Sequence, residues 1–257
     1  EVKTSIENQG KLTPELAAAI VLALDELVGR FPSLCGILLN INRENTNVVL
    51  GDKFVTLWGK DYLEDILCGK KLRLSAGSFY QVNHDAAELL YAKAKDLAKP
   101  TKDDLVLDLY CGAGSIGLSM ADTAKEIIGI EIVESAVECA KFNAENNGIK
   151  NASFYAGDAS GAEKLLSNAE KLRGEKIKPD IVILDPPRGG TTAELIKHVS
   201  ALNPQRIVYI SCNPATLARD ITVFNECGYF GDEVTPFDLF PLTGHVESVV
   251  CLTRKSQ

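Results

Sequence analysis

Long apolar runs are missing from this sequence. Nothing in it approaches the roughly 18 residues that a membrane span needs, although 46% of the 257 residues are hydrophobic. The N-terminus carries no secretory leader. It opens on Glu1 rather than Met, which points to a piece of a longer protein. Paired cysteines are missing too. Cys35, Cys68, Cys111, Cys139, Cys212, Cys227 and Cys251 are odd in number and widely separated, and no CxxC occurs. That argues against a zinc or iron–sulfur site and against a disulfide framework, and a reducing cytoplasm is the expected compartment. A basic excess is absent as well. The net charge of −8 leaves no strongly basic nucleic-acid footprint, so any RNA grip must come from a local patch or from outside this stretch. There is no internal repeat or low-complexity tract. What remains is enough apolar material for one large domain, or one plus a smaller unit.

The first part of the chain has one style and the rest another. "LTPELAAAIVLALDELVGRF" reads as an amphipathic helix, with Thr13 as N-cap and Pro14 at its first position. "GILLNIN", "NVVLG", "FVTLWG", "YLEDIL" and "KKLRLSAGSFYQVN" follow with Gly, Asn and Asp between them, which predicts short antiparallel strands. Residues 1–75 are therefore expected to form a small α+β unit. From "NHDAAELLYAKAKDLA", a helix capped by Asn83, strands and helices alternate. The strands are "DLVLDLY", "EIIGIEI", "ASFYAG", "PDIVILD" and "RIVYIS". The helices between and after them are placed from Ser115 and at 134–147, 160–172, 191–201 and 215–227. This is the rhythm of a doubly wound, mainly parallel α/β sheet. The end of the chain, "FGDEVTPFDLF" and "ESVVCLTR", predicts two strands joined by a loop, hence an antiparallel last pair. Residues 76–257 form the larger α/β domain in this reading.

The strand ends carry the chemistry. "LDLYCGAGSIG" is a strand, a glycine turn and a helix start. Gly112 and Gly114 allow close backbone approach to a ligand, and Gly112-x-Gly114-x-x-Gly117 fits the dinucleotide fingerprint. Tight structural turns use the same letters. Glu131, at the tip of the next strand, is placed to accept from both ribose hydroxyls, or else is a solvated strand-end acid. Asp158 stands where it could accept from an adenine amino group, or serve as a helix N-cap. NAD and S-adenosylmethionine share this geometry. Asp185 then ends the fourth strand in "IVILDPPRGG", where two prolines hold the backbone extended. That acidic elbow is unusual for a nicotinamide site and suits gripping a planar group beside a methyl donor.

Cys212, in "ISCNPATLARD", lies at the tip of the fifth strand on the ligand-binding edge of such a sheet. A free cysteine is most often a small buried hydrophobe, but the turn at "NP" exposes this thiol near the expected pocket. The helix that follows is expected to depress its pKa. In "GHVESVVCL" a period of two puts His245, Glu247, Val249 and Cys251 on one face. A glutamate in a valine-rich strand is costly to bury unless paired or used. The alternatives are an edge-strand glutamate facing water, or His245 as the base.

"GSFYQVN", "LDLYCGAGSIG", "ILDPPRGG", "ISCNPATLARD" and "GHVESVV" occur in that order from about residue 75 onward. Together they resemble the RNA 5-methyluridine methyltransferases, which use S-adenosylmethionine. The resemblance implies a Rossmann-like class I methyltransferase domain acting on structured RNA, tRNA or rRNA. It also implies Cys212 as nucleophile and Glu247 as base. Gln81, Tyr110, Glu131 and Asp185 match positions associated with cofactor or uracil binding, with Gly112, Gly114 and Asp158 on the cofactor side. Many members carry an N-terminal RNA-binding β-barrel and some a four-cysteine iron–sulfur motif. Neither is in this sequence, so the expectation is a catalytic fragment. Rival readings are methylation of an exocyclic base amine, which needs no thiol, a noncatalytic RNA- or nucleoside-binding module, and a dehydrogenase resting on the glycine loop alone.

Overall fold

The computed structural model describes residues 14–42, 50–51, 53–157 and 166–254. The chain divides into two compact units, one of Glu1–Glu64 with Leu74–Gly77, the other of Asp65–Arg73 with Ser78–Gln257. Thr13 and most of "NVVLG" fall outside the described residues, and Leu50 and Gly51 are not in a strand.

In the smaller unit, α1 (Pro14–Arg30) packs on an antiparallel pair, β1 (Gly36–Ile41) and β2 (Lys53–Gly59). Leu24 and Leu57 are its buried centre, with Ile20, Ile37, Leu39 and Val55 around them. The expected single small sheet is two separate ladders. Gly59, at φ +67°, turns the chain out of β2, and β3 (Tyr62–Leu67) pairs instead with β4 (Lys70–Ser75). The two-residue turn between them, Cys68 and Gly69, lies in the Asp65–Arg73 stretch that belongs to the larger unit and has φ of +51° and +69°, the left-handed pair that matches a hairpin's twist.

The larger unit is built on a seven-stranded sheet. Its strands are β5 (Leu105–Leu109), β6 (Glu126–Glu131), β7 (Ala152–Ala156), β8 (Ile181–Leu184), β9 (Arg206–Ser211), β10 (Tyr229–Phe237) and β11 (Glu247–Arg254). The order is β10-β11-β9-β8-β5-β6-β7. β7, β6, β5, β8 and β9 run parallel, while β11 is antiparallel to both β9 and β10. All four residues of β8 are fully buried, as expected of a strand covered on both faces. The helices are α2 (His84–Ala98), α3 (Ser115–Met120), α4 (Glu134–Asn146), α5 (Ser167–Arg173), α6 (Ala193–Ala201) and α7 (Pro214–Glu226). This is a Rossmann-like methyltransferase fold, and the antiparallel last pair is where the sequence puts it.

One core cluster joins Leu107, Leu109, Val182, Leu184, Ile207 and Tyr209 of the sheet to Leu195, Ile196 and Val199 of α6 and Leu217 and Phe224 of α7. Each such side chain contributes roughly 1.5–3 kcal/mol when fully removed from water. The Tyr209 and Phe224 rings meet edge to face at 6.3 Å. Asn83 caps α2 as expected, its side chain accepting from Ala86 N at 3.4 Å. α4 holds β4 through two asparagines one turn apart. Asn143 Oδ1 accepts from Arg73 N at 2.6 Å and its Nδ2 donates to Arg73 O at 3.1 Å. Asn147 repeats the pair on Lys71, at 2.9 and 2.7 Å. The i,i+4 spacing on the helix thus meets the i,i+2 spacing of one face of the strand.

Candidate active site

Doubly wound sheets bind ligands where the strand order reverses, outside the carboxyl ends of the strands. Here that point lies between β5 and β8. Leu184 pairs with both Leu109 and Tyr209, so the residues that follow, Tyr110, Asp185 and Ile210, emerge side by side.

On the β5 side the backbone is bent hard. Tyr110, Gly112 and Gly114 have φ of +62°, +53° and +81°. A Cβ at Gly114 would stand 2.9 Å from the Phe154 ring, so only glycine fits there. Glu131 is held by the loop, accepting from Gly112 N at 3.0 Å and from Val133 N at 2.9 Å. The solvated alternative therefore does not describe it. The "SFYQ" segment runs beside this loop, with the Phe79 carbonyl 3.9 Å from where a Gly112 Cβ would stand. Gln81 is 3% exposed and its Oε1 has no hydrogen-bond partner. Asp158 lies outside the described residues.

On the β9 side, Ser211 pairs with Ser248. Continuing that antiparallel register by one residue brings Cys212 beside Glu247. Glu247 is only 3% exposed, because β11 lies inside the sheet between β10 and β9 rather than at its edge. Both faces of the strand are covered here, since Glu247 through Val250 are all buried, so the alternative of an edge-strand glutamate facing water does not hold. His245 is exposed on the preceding loop. Asn213 caps α7, accepting from Ala215 N at 3.0 Å, with Pro214 at the first position.

The electrostatics correct one expectation. The Cys212 thiol is shifted up overall, not down. Burial pushes its pKa up, and the nearby Glu247 and Asp185 carboxylates push the same way, against Arg188 and a backbone hydrogen bond. Burial also raises Glu247, opposed by Arg188. Asp185 keeps slight residue exposure, yet its carboxyl sits inside the protein. Burial first, then Glu247 and Asp108, push it up to about 8. Asp108 is fully buried beneath the glycine loop. Its Oδ2 accepts from Gly117 N at 2.9 Å while its Oδ1 has no partner, and burial pushes it up to about 7, with Glu131 adding to the rise.

Sequence reasoning passed over Asp108, Arg188 and the Arg219–Asp220 pair, all of them inside motifs that it used. Burial of the first and the hydrogen bonding of the others are three-dimensional facts. A separate surface cavity, lined by residues including Glu170, Lys176, Ile177 and His198, opens near the start of β8, away from this edge. Among the described residues no helix is long and apolar enough to cross a membrane, and no group of three or more His, Cys, Asp or Glu could hold a metal ion.

A thiol, a buried glutamate and a glycine loop thus lie on one edge of this fold. Residues 50–255 match the tRNA (uracil-5-)-methyltransferase model, and the chain belongs to that family. It is 43% identical over 242 residues to an uncharacterized RNA methyltransferase of Enterococcus faecalis, covering 94% of this chain and 51% of that protein. It is 44% identical over 241 residues to the uncharacterized RNA methyltransferase YljE of Lactococcus lactis, with the same coverage of 94% and 51%. The chain thus spans about half the length of these curated relatives. Among solved structures, it is similar to the Pyrococcus abyssi tRNA (uracil-54, C5)-methyltransferase in complex with S-adenosyl-L-homocysteine. The TM-score is 0.69 and the identity 31%, over 88% of this chain and 52% of that one. Trm5b of Pyrococcus abyssi, 13% identical at a TM-score of 0.59 over 88% of this chain and 66% of its own, shares the fold alone.

Proposed function

We propose that this chain carries the catalytic part of an S-adenosylmethionine-dependent enzyme that methylates C5 of a uridine in RNA, through a transient bond between Cys212 and C6 of the base. The observation that carries the reading is the meeting of Cys212, at the end of β9, with the buried Glu247, at the start of β11, beside Asp185.

The residues fit the methyl donor. Its sulfonium and ammonium are cationic, and the cleft offers the Glu131 carboxylate with two buried acceptor atoms, Gln81 Oε1 and Asp108 Oδ1, that have no partner among the described residues. Glu131 stands at the ribose position, and Gly112 and Gly114 let the backbone come close. S-adenosylmethionine, when bound, supplies an electrophilic methyl group.

The protein's part is to make C5 of uracil a nucleophile. Cys212 gives its proton to water and adds to C6 as the thiolate, which turns the ring into an enolate with its charge shared between O4 and C5. Asp185, protonated below about pH 8, can donate a hydrogen bond to a carbonyl of the ring. Once C5 carries the methyl group, the Glu247 carboxylate takes the C5 proton. The electrons of that C–H bond restore the C5–C6 double bond as the C–S bond breaks and the thiolate leaves. Glu247's raised pKa makes it the stronger base for this task. The target uridine must leave its stack to reach the edge. Similarity to the Pyrococcus abyssi enzyme makes tRNA the first substrate to try.

The test is RNA bearing 5-fluorouridine, incubated with the protein and S-adenosylmethionine. Fluorine at C5 cannot leave as a proton, so the adduct is trapped, and mass spectrometry should find it on the Cys212 peptide. Methyl transfer that survives in Cys212→Ala would exclude the covalent route and favour methylation of an exocyclic amine.

A further inference from the structure

Asp220 is a charged residue on α7 with 1% exposure, well away from the reacting positions. Its partners come from three elements. Tyr209 of β9 donates to Oδ2 at 2.6 Å, and Thr191 N, in the loop after β8, donates to the same oxygen at 2.9 Å. Arg219 Nε donates to Oδ1 at 2.8 Å. The Arg219 guanidinium then reaches back into that loop, with Nη2 donating to Gly189 O at 2.9 Å and Thr191 O at 3.1 Å. Gly190 lies between these bonds at φ +74°, and a Cβ there would stand 2.5 Å from Asp220 Oδ2 and 2.6 Å from Arg219 Nη2. The pair fills the space that a side chain at 190 would need.

The loop so held is the one that follows Asp185 and bears Arg188. The Arg188 carbonyl accepts from Asn213 Nδ2 at 3.3 Å and Thr216 Oγ1 at 3.4 Å, one and four residues after Cys212. Thr191 Oγ1 also meets Tyr110 Oη at 3.2 Å, which ties in the loop after β5. Three loops of the catalytic edge are thus joined through one buried carboxylate.

We propose that Asp220 and Arg219 are positioning residues, which clamp the loop after β8 onto α7 and so fix where Arg188 stands relative to Cys212 and Glu247. A buried carboxylate needs its full complement of donors to be tolerated, so the loop has one seat rather than several. Lysine at 219 keeps the charge but not the fork that spans two carbonyls and a carboxylate. The clamp's catalytic meaning rests on the function proposed above, but its geometric claim does not.

The test is the pH dependence of iodoacetamide alkylation at Cys212, followed by peptide mass spectrometry, which separates it from the other cysteines. The charges acting on this thiol are Glu247, Asp185 and Arg188. Arg188 alone favours the thiolate, so Arg188→Ala moves the titration up. Arg219→Ala, whose side chain is 54% exposed, should move it up too while the chain stays folded. The double variant should move it no further than Arg188→Ala, because both act through one guanidinium. Arg219→Lys should resemble Arg219→Ala. Adduct formation with 5-fluorouridine RNA should slow about 10- to 100-fold, as a displaced group demands.

A lowered melting point with an unchanged titration would reduce the clamp to simple structure and overturn the proposal. Additive shifts in the double variant, or full rescue by lysine, would overturn it as well. Absence of any adduct on the unaltered full-length protein with cellular RNA would instead sink the methyl-transfer reading, and the titration would still decide the clamp.

Discussion

Asp108→Asn should stabilise the protein, and by an amount that grows with pH. Asp108 has no exposure, and its carboxyl is pushed up to about 7 from an ordinary 3.8, mainly by burial, against the hydrogen bond from Gly117 N. A carboxyl whose pKa is raised in the folded state binds its proton more tightly there. Its contribution is therefore fully present below the ordinary pKa and is lost as pH rises to the folded one. The gap is about 3 units at 1.36 kcal/mol each, or about 4 kcal/mol in total. Between pH 5 and pH 8 the fraction lost is about 2–3 kcal/mol. Asparagine keeps an oxygen for Gly117 N and cannot ionise, so it escapes that loss. The assay is urea unfolding of both proteins at pH 5 and pH 8, read as the difference of differences, so that titrating groups not coupled to Asp108 cancel. Expected is a gap between variant and parent that opens in the variant's favour by about 2–3 kcal/mol at the higher pH. A gap that is the same at both pH values would show that Asp108 is not held in this state and would refute the argument.

Three further outcomes follow. Glu247→Gln removes a carboxylate that raises the Cys212 thiol, so it should speed alkylation of Cys212 at neutral pH even as it abolishes methyl transfer, whereas Asp185→Asn, at a group already protonated below about pH 8, should do so only above that pH. Slower alkylation in Glu247→Gln would show that its carboxylate does not face the thiol. Asn143→Ala takes the partners from Arg73 N, Arg73 O and Ala113 O and should cost about 3 kcal/mol in urea unfolding, while a loss under about 1 kcal/mol would mean that water replaces the amide. Leu242 is fully exposed with φ +66°, so Leu242→Gly relieves backbone strain without losing packing and should raise stability by about 0.5–1 kcal/mol, an increase that a melting curve would register or deny.

The sheet was legible because its signals are local. Apolar runs such as "IVILD" and "RIVYI", bounded by helix caps, mark buried parallel strands without knowledge of their neighbours. The strand tips follow from that, which is why Cys212, Asp185 and Glu131 could be placed on one edge. What neighbours do to a residue was not legible. Glu247 read as part of an alternating strand because the insertion of β11 between two others is a matter of pairing, not of period. The sign of the Cys212 shift was missed because a helix start is visible in the letters "NPATLARD", whereas burial and two opposed carboxylates are not. Asp220 was hidden for a similar reason. A charged residue after arginine looks like solvated surface until Tyr209 and Thr191 are seen to close over it.

β11 runs against its neighbours, so the strand that begins at Glu247 starts where the strand that ends near Cys212 stops. As a chain leaves the ribosome, Cys212 is therefore made long before its partner, and the intervening α7 and β10 must fold back before the last strand can enter between β9 and β10. β11 can take its interior place only when both β9 and β10 are available to pair with it. The thiol thus spends synthesis without the glutamate, and the two come together only when the C-terminal strand is seated.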